Sequence, residues 1–225
     1  MPPQIAILGW GSLLWDGGAE FDRWHDEWRY DGPTLKLEFS RVSKKRLDAL
    51  TLVIDPQHGV TNTVAWCLSR RKNPQDAIAD LRCREETTIQ NIRALVLAGP
   101  VPEDNTSKEI AAWANERKLD VVVWTALPSN FADQVKHPFS VEEAIAYLKR
   151  LPAAGKAKAA EYIWCAPEFI RTPLRSAIEK EPWFPAREGN LSYVTRNNSI
   201  QNPFCVMVIG GITRLWRRLV RKRAV

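Results

Sequence analysis

The sequence predicts an α+β fold: a small mixed, curved or barrel-like sheet with flanking helices. Three observations lead there. Short β-branched runs and helical stretches succeed one another without a regular βαβ repeat. The two clearest strands, residues 49–54 and 60–68, are separated only by the turn formers Asp55-Pro56-Gln57-His58-Gly59 and read as a hairpin. The chain has 225 residues, 45% of them hydrophobic and 26% charged, enough to bury a core without staples.

The elements follow in chain order. Residues 4–8 form an apolar strand that ends at Gly9, and Asp16-Gly17-Gly18 marks a turn after the loop that follows. Phe21, Trp24 and Trp28 recur at helical spacing and predict a short helix or helical turn. Residues 35–39 alternate as a strand. Asn73-Pro74 offers an N-cap and then proline at the first helical position, so a helix should start there and run through Glu85 and Glu86. Residues 92–97 read as a strand, 107–118 as a polar helix and 120–127 as a strand. Ser140 and Glu143 make a capping-box pattern for a helix ending near Leu151. A further helical stretch covers 157–166, and 182–202 is rich in turn formers. The organisation expected is one domain over 1–180 and a C-terminal extension over 181–225.

Composition excludes several classes of function. Cys67, Cys83, Cys165 and Cys205 lack paired spacing, which argues against a disulfide framework or zinc knuckle and for a reducing compartment. There is no basic and apolar leader, and no apolar run of the ~20 residues that would span a bilayer. A cytoplasmic protein is expected. His25, His58 and His137 lie in unrelated settings without ligand spacing, so a metal is not expected. The net charge of +6 is matched by six cations near the end, Arg214, Arg217, Arg218, Arg221, Lys222 and Arg223, with no acid among them. The body is therefore neutral, unlike a uniformly basic nucleic-acid-binding surface.

Two features of the body point to chemistry. At 100° per residue, Glu85 falls within about 20° of Ile78, in the middle of the stripe formed by Ile78, Leu81 and, if the helix continues, Ile89. Glu86 is rotated toward solvent. A carboxylate on an apolar stripe either pairs with a buried arginine or has a functional use. The second feature is the loop Gly9-Trp10-Gly11-Ser12 after the first strand. It offers backbone N–H groups that could cradle a carboxylate or phosphate, or it is a tight turn packing Trp10 and Leu13 into the core. A dinucleotide fingerprint would need glycine where Leu14 stands, and a nucleophile elbow fails because Ser12 precedes Leu13-Leu14.

Together these features resemble a known family. Gly9-Trp10-Gly11-Ser12-Leu13-Leu14-Trp15 is similar to the Gly-Tyr-Gly-Ser-Leu-Ile-Trp opening of the ChaC-like glutathione-degrading cyclotransferases. Leu50 to Pro56, with the strand around Val64-Ala65-Trp66, is similar to the central hairpin of γ-glutamylcyclotransferases. Leu81-Arg82-Cys83-Arg84-Glu85 resembles their Leu-x-x-Arg-Glu helix, and Glu161-Tyr162-Ile163 their late helix. Trp10 in place of tyrosine and Thr87-Thr88 in place of Gly-Gly-Tyr depart from the ChaC-like pattern, the helix at 107–118 looks inserted, and the segment after Pro182 has no counterpart. The resemblance implies a γ-glutamylcyclotransferase-like fold and release of 5-oxoproline from a γ-glutamyl substrate by intramolecular aminolysis. Glu85 would be the acid/base. The loop Gly9, Trp10, Gly11, Ser12, Leu13 and Leu14 would bind substrate, with backbone amides of 11–14 steadying the oxyanion. Tyr162 would line the pocket or belong to the core. No metal or organic cofactor is required.

Two other classes remain open: a binding domain of the same fold, and a membrane- or nucleic-acid-associated protein acting through its tail. Ile212, Leu215, Trp216, Leu219 and Val220 recur on one helical face, with Arg214, Arg217, Arg218 and Arg221 around it. That segment either packs on its own domain or meets an anionic partner.

Overall fold

The computed structural model of the chain describes residues 2–187. Their secondary structure comprises seven strands, seven α-helices and three 3₁₀ turns. The strands form two sheets, neither of them closed into a barrel. The first has the order β5 (Ala65–Leu68), β1 (Ile5–Gly9), β7 (Val121–Thr125), β6 (Ile92–Val96). It is mixed: β1 runs parallel to β7, and the other pairs are antiparallel. The second is antiparallel, with β2 (Thr34–Ser43) between β3 (Ala49–Ile54) and β4 (Val60–Thr63). The class is thus α+β, and two open sheets replace the expected barrel-like one.

Val64 is where the expected strand over 60–68 divides. The chain before it pairs with β2 and the chain after it with β1, so one extended run belongs to both sheets. The Val64 N–H donates to Pro33 and its carbonyl accepts from Gly32. The expected hairpin of 49–54 with 60–68 is corrected accordingly. β3 and β4 lie on opposite sides of β2, and the hairpin is β2–β3, closed through Leu47 and Asp48 at positive φ. The turn at residues 55–59 instead carries the chain across the end of β2.

α2 (Pro74–Glu85) begins as its sequence requires: the Asn73 side chain accepts from the Gln75 N–H and Pro74 occupies the first turn. Ala77, Ile78 and Leu81 are buried against the first sheet. The paired bonds from Arg71 to Asp80, 2.7 and 2.9 Å, tie the helix to the chain that leaves β5. The helix ends at Glu85. Glu86 is left-handed, with φ 47°, so Ile89 does not extend the stripe and is half exposed.

α1 (Ala19–Asp22) is shorter than the Phe21-Trp24-Trp28 spacing predicts, because His25 and Arg29 turn into bridges with Ser69 and Trp66. α3 (Asn105–Glu116) buries Ile110 and Trp113, whose ring meets Trp66 edge-on at 5.1 Å, so it is amphipathic rather than simply polar. α4 (Phe131–Val135) has no counterpart in the sequence reading. α5 (Val141–Arg150) has the expected cap, Ser140 accepting from the Glu143 N–H. α6 (Ala153–Cys165) lies on β3, and α7 (Pro173–Ile178) is capped by Thr172. Trp164 donates to the Pro185 carbonyl and its ring packs on Phe184, so the folded body continues past residue 180. The six terminal cations and the amphipathic pattern at 212–220 lie outside the described residues. Among the described residues no helix is long and apolar enough to cross a membrane.

Candidate functional site

A cavity of about 860 Å³ opens where the end of β1, the β2–β3 hairpin, the end of α2 and α6 converge. Glu85, Trp10, Gly11, Ser12, Leu13 and Tyr162 all line it. Residues separated by 70 or more positions are brought together by the ends of three elements.

β1 delivers the loop. Its five residues are wholly buried, and the chain then bends through Trp10 and Gly11 into a 3₁₀ turn at Ser12–Leu14. Trp10 and Leu13 are buried, so the loop packs into the core and lines the cavity at once. Gly11 permits a close approach: a Cβ there would lie 2.6 Å from the Tyr162 hydroxyl. Two of the expected loop residues do not line the cavity. Gly9 lies under the Trp28 ring, and the Leu14 N–H is spent on the Gly11 carbonyl at 3.0 Å.

Tyr162 projects from α6 between β3 and the loop. Burial pushes its pKa up to about 12, while backbone hydrogen bonds at Leu52 and Ser12 oppose that rise. Of the four amides expected to receive a ligand, that of Leu14 is engaged within the fold. Gly11 and Leu13 have no acceptor among the described residues. The Tyr162 ring is held edge-on by Trp15 at 5.3 Å, and the Arg46 guanidinium lies over it at 4.9 Å.

Glu85 closes α2 at the edge of the cavity. Its backbone carbonyl accepts from Lys45, but its carboxylate takes no hydrogen bond among the described residues. Burial raises its pKa above the ordinary glutamate value, against the pull of Arg84, Arg46 and Lys45; Asp16 pushes the same way as burial. Its place in the last helical turn, facing the negative end of the helix dipole, also disfavours the ionised form. Glu86 is exposed and bound to Lys45 at 2.7 Å, which keeps that ammonium from pairing with Glu85. Arg84 donates to the Asp16 and Ser12 carbonyls, and Arg46 pairs with Asp16 at 3.0 Å, so these arginines pin the loop rather than neutralise Glu85.

Arg84, Arg46, Lys45 and Asp16 were not singled out by sequence reasoning. The run Lys44-Lys45-Arg46 was the available signal, but its position over α2 depends on the turn between β2 and β3. The body's zero net charge conceals a segregated one: six cations line the cavity against three carboxylates. Among the described residues no group of three or more His, Cys, Asp and Glu side chains is placed to hold a metal ion.

Compared with protein-family models, curated proteins and solved structures, the chain matches none.

Proposed function

We propose that the chain is a γ-glutamylcyclotransferase-type enzyme that releases 5-oxoproline from a γ-glutamyl peptide or amine. The observation that carries this reading is the Glu85 carboxylate. It is half-buried, raised in pKa and without a hydrogen bond from the protein among the described residues, in a cavity shared with the Gly11–Leu13 backbone.

The reaction needs one group that takes a proton and returns it. Glu85 removes a proton from the substrate α-ammonium group, and the freed amine attacks the γ-carbonyl carbon. A C–N bond forms within the glutamyl unit, and the carbonyl oxygen becomes an oxyanion. The N–H groups of Gly11 and Leu13 are the donors available to it. Glu85 then protonates the departing nitrogen, the original amide C–N bond breaks, and the ring nitrogen, which still carries two hydrogens, passes its surplus proton to the released amine, so 5-oxoproline leaves beside an ammonium product. The proton count balances without a co-reactant. A carboxyl whose pKa is lifted toward neutrality serves both steps better than an ordinary glutamate.

The test is 5-oxoproline release by the full chain from a panel of γ-glutamyl dipeptides, glutathione and γ-glutamyl alkylamides. Turnover of at least one member supports the reading. Binding without turnover across the panel identifies a binding domain instead, and neither binding nor turnover removes the γ-glutamyl unit from consideration.

A further inference from the structure

The cavity has a second polar end. Arg41 lines it from β2, half-buried, and its Nη1 donates to the Pro128 carbonyl at 2.7 Å. That is the guanidinium's sole hydrogen bond among the described residues, and no carboxylate there lies within ion-pair distance of it. Burial lowers its pKa, and no neighbouring charge is among the causes. A guanidinium has five N–H donors, so most of its donor capacity is unused. Its surroundings differ from those of the cations around Glu85: Lys45 is paired with Glu86 and Arg46 with Asp16.

The local backbone explains why this arginine faces the cavity. Along β2 the positions that reach the surface are first Thr34 and Lys36, exposed, then Arg41 and Ser43, half-buried, so the alternation slips by one residue. The slip coincides with the register shift between Glu38 and Arg41 opposite β3. In an unbroken strand Arg41 would share the inward face of Leu35, Leu37 and Phe39. The bulge re-aims it outward from the core, the common use of such irregularities beside binding sites. Asn130 holds the strand just beyond, bonding both the N–H and the carbonyl of Val42, at 2.7 and 3.2 Å.

We propose that Arg41 is a specificity-determining residue that binds an anionic group, a carboxylate in the simplest case, on the leaving portion of the substrate. This rests on the cyclotransferase reading, which puts the glutamyl unit at Glu85 and the loop. A guanidinium with free donors and no carboxylate partner matches a carboxylate in geometry and charge. The substrate class is then a γ-glutamyl amino acid or peptide ending in a free carboxylate. A γ-glutamyl alkylamine or a γ-glutamylated lysine side chain offers nothing to this arginine.

The experiment compares γ-glutamylglycine with γ-glutamylglycinamide, nearly isosteric and differing in charge, by kcat/KM for 5-oxoproline release and by calorimetric binding to Glu85→Gln. Charge-assisted hydrogen bonds of ordinary strength predict a preference for the acid of roughly 10- to 100-fold. Arg41→Gln should reduce that ratio toward one, and Arg41→Lys should leave an intermediate ratio. Equal kcat/KM for acid and amide in the unaltered protein overturns the inference while leaving the cyclotransferase reading intact. Preferential binding of the acid without 5-oxoproline does the reverse. An Arg41→Gln protein that folds and keeps the full preference also overturns it. If that variant does not fold, the acid-to-amide ratio in the unaltered protein and in Arg41→Lys still decides.

Discussion

Burial raises the pKa of both Glu38, which is fully buried, and Glu85, which is half-buried. Their surroundings differ in the respect that matters. Glu38 is fully buried in the central strand of the second sheet, and its two oxygens accept from the Phe39 N–H at 2.7 Å and the Leu174 N–H at 3.3 Å, with the Thr172 side chain a further partner. It joins β2 to the start of α7. Glu85 has no such donors among the described residues and faces a cavity. A raised pKa alone therefore does not mark a reactive acid. A half-buried carboxylate without protein donors, in a space large enough for a ligand, is the distinguishing combination.

Substitution should separate the two glutamates. Glu85→Gln keeps the shape and removes proton transfer, so turnover should fall by roughly 10²–10⁴-fold while thermal melting is not lowered. Glu86→Gln, on the solvent side, should leave turnover near its starting level, and steady-state kinetics with melting curves reads all of these together. A Glu85→Gln protein that melts early would make Glu85 a structural residue like Glu38.

The loop offers the next largest effect. Gly11→Ala places a Cβ 2.6 Å from the Tyr162 hydroxyl, and the displacement should cost on the order of 10²-fold in kcat/KM. Adding Tyr162→Phe removes the clashing oxygen, and the nearest remaining atom, Cζ, would lie at 3.8 Å. The double variant should recover part of the loss, and a double-mutant cycle measures the coupling. Purely additive losses would mean that the two groups do not touch as described.

Glu38→Gln is expected to act on stability. One of its oxygens becomes an NH₂ facing a backbone donor, with a loss of about 1–3 kcal/mol in denaturant unfolding and little change in turnover per folded molecule. The smallest effect is a pH dependence. Because the folded-state pKa of Glu85 is raised, its contribution to folding is fully present below the unfolded value, near the ordinary 4.5, and is lost as pH rises through the folded value. The stability of Glu85→Gln relative to the unaltered protein should therefore increase upward across that window. The opposite slope would indicate an ionised carboxylate held by a donor.

The parts of this comparison that were legible in the sequence are local. The Asn73-Pro74 start of α2 and the Ile78-Leu81 stripe identified Glu85, and the Ser140 cap identified α5, because capping and helical periodicity act within one or two turns. Glu38 was not legible. Leu35, Leu37 and Phe39 alternate, which puts Glu38 on the outer face, but α7 covers that face from 136 residues away. Arg41 was hidden by the slip in alternation, which depends on how β3 pairs. The division of residues 60–68 at Val64 had no local marker, since both halves are extended and only their partners differ.

The central claim is that Glu85 is a carboxyl raised in pKa and left free to move a proton. It is tested most directly by titrating the ¹³C resonance of its side-chain carboxyl in the full chain, assigned by its loss in Glu85→Gln. The pKa should lie above 4.5 and coincide with the acid limb of kcat/KM for 5-oxoproline release, where the base form is lost. A Glu85 that titrates at or below 4.5, or an acid limb that does not follow it, would contradict the assignment.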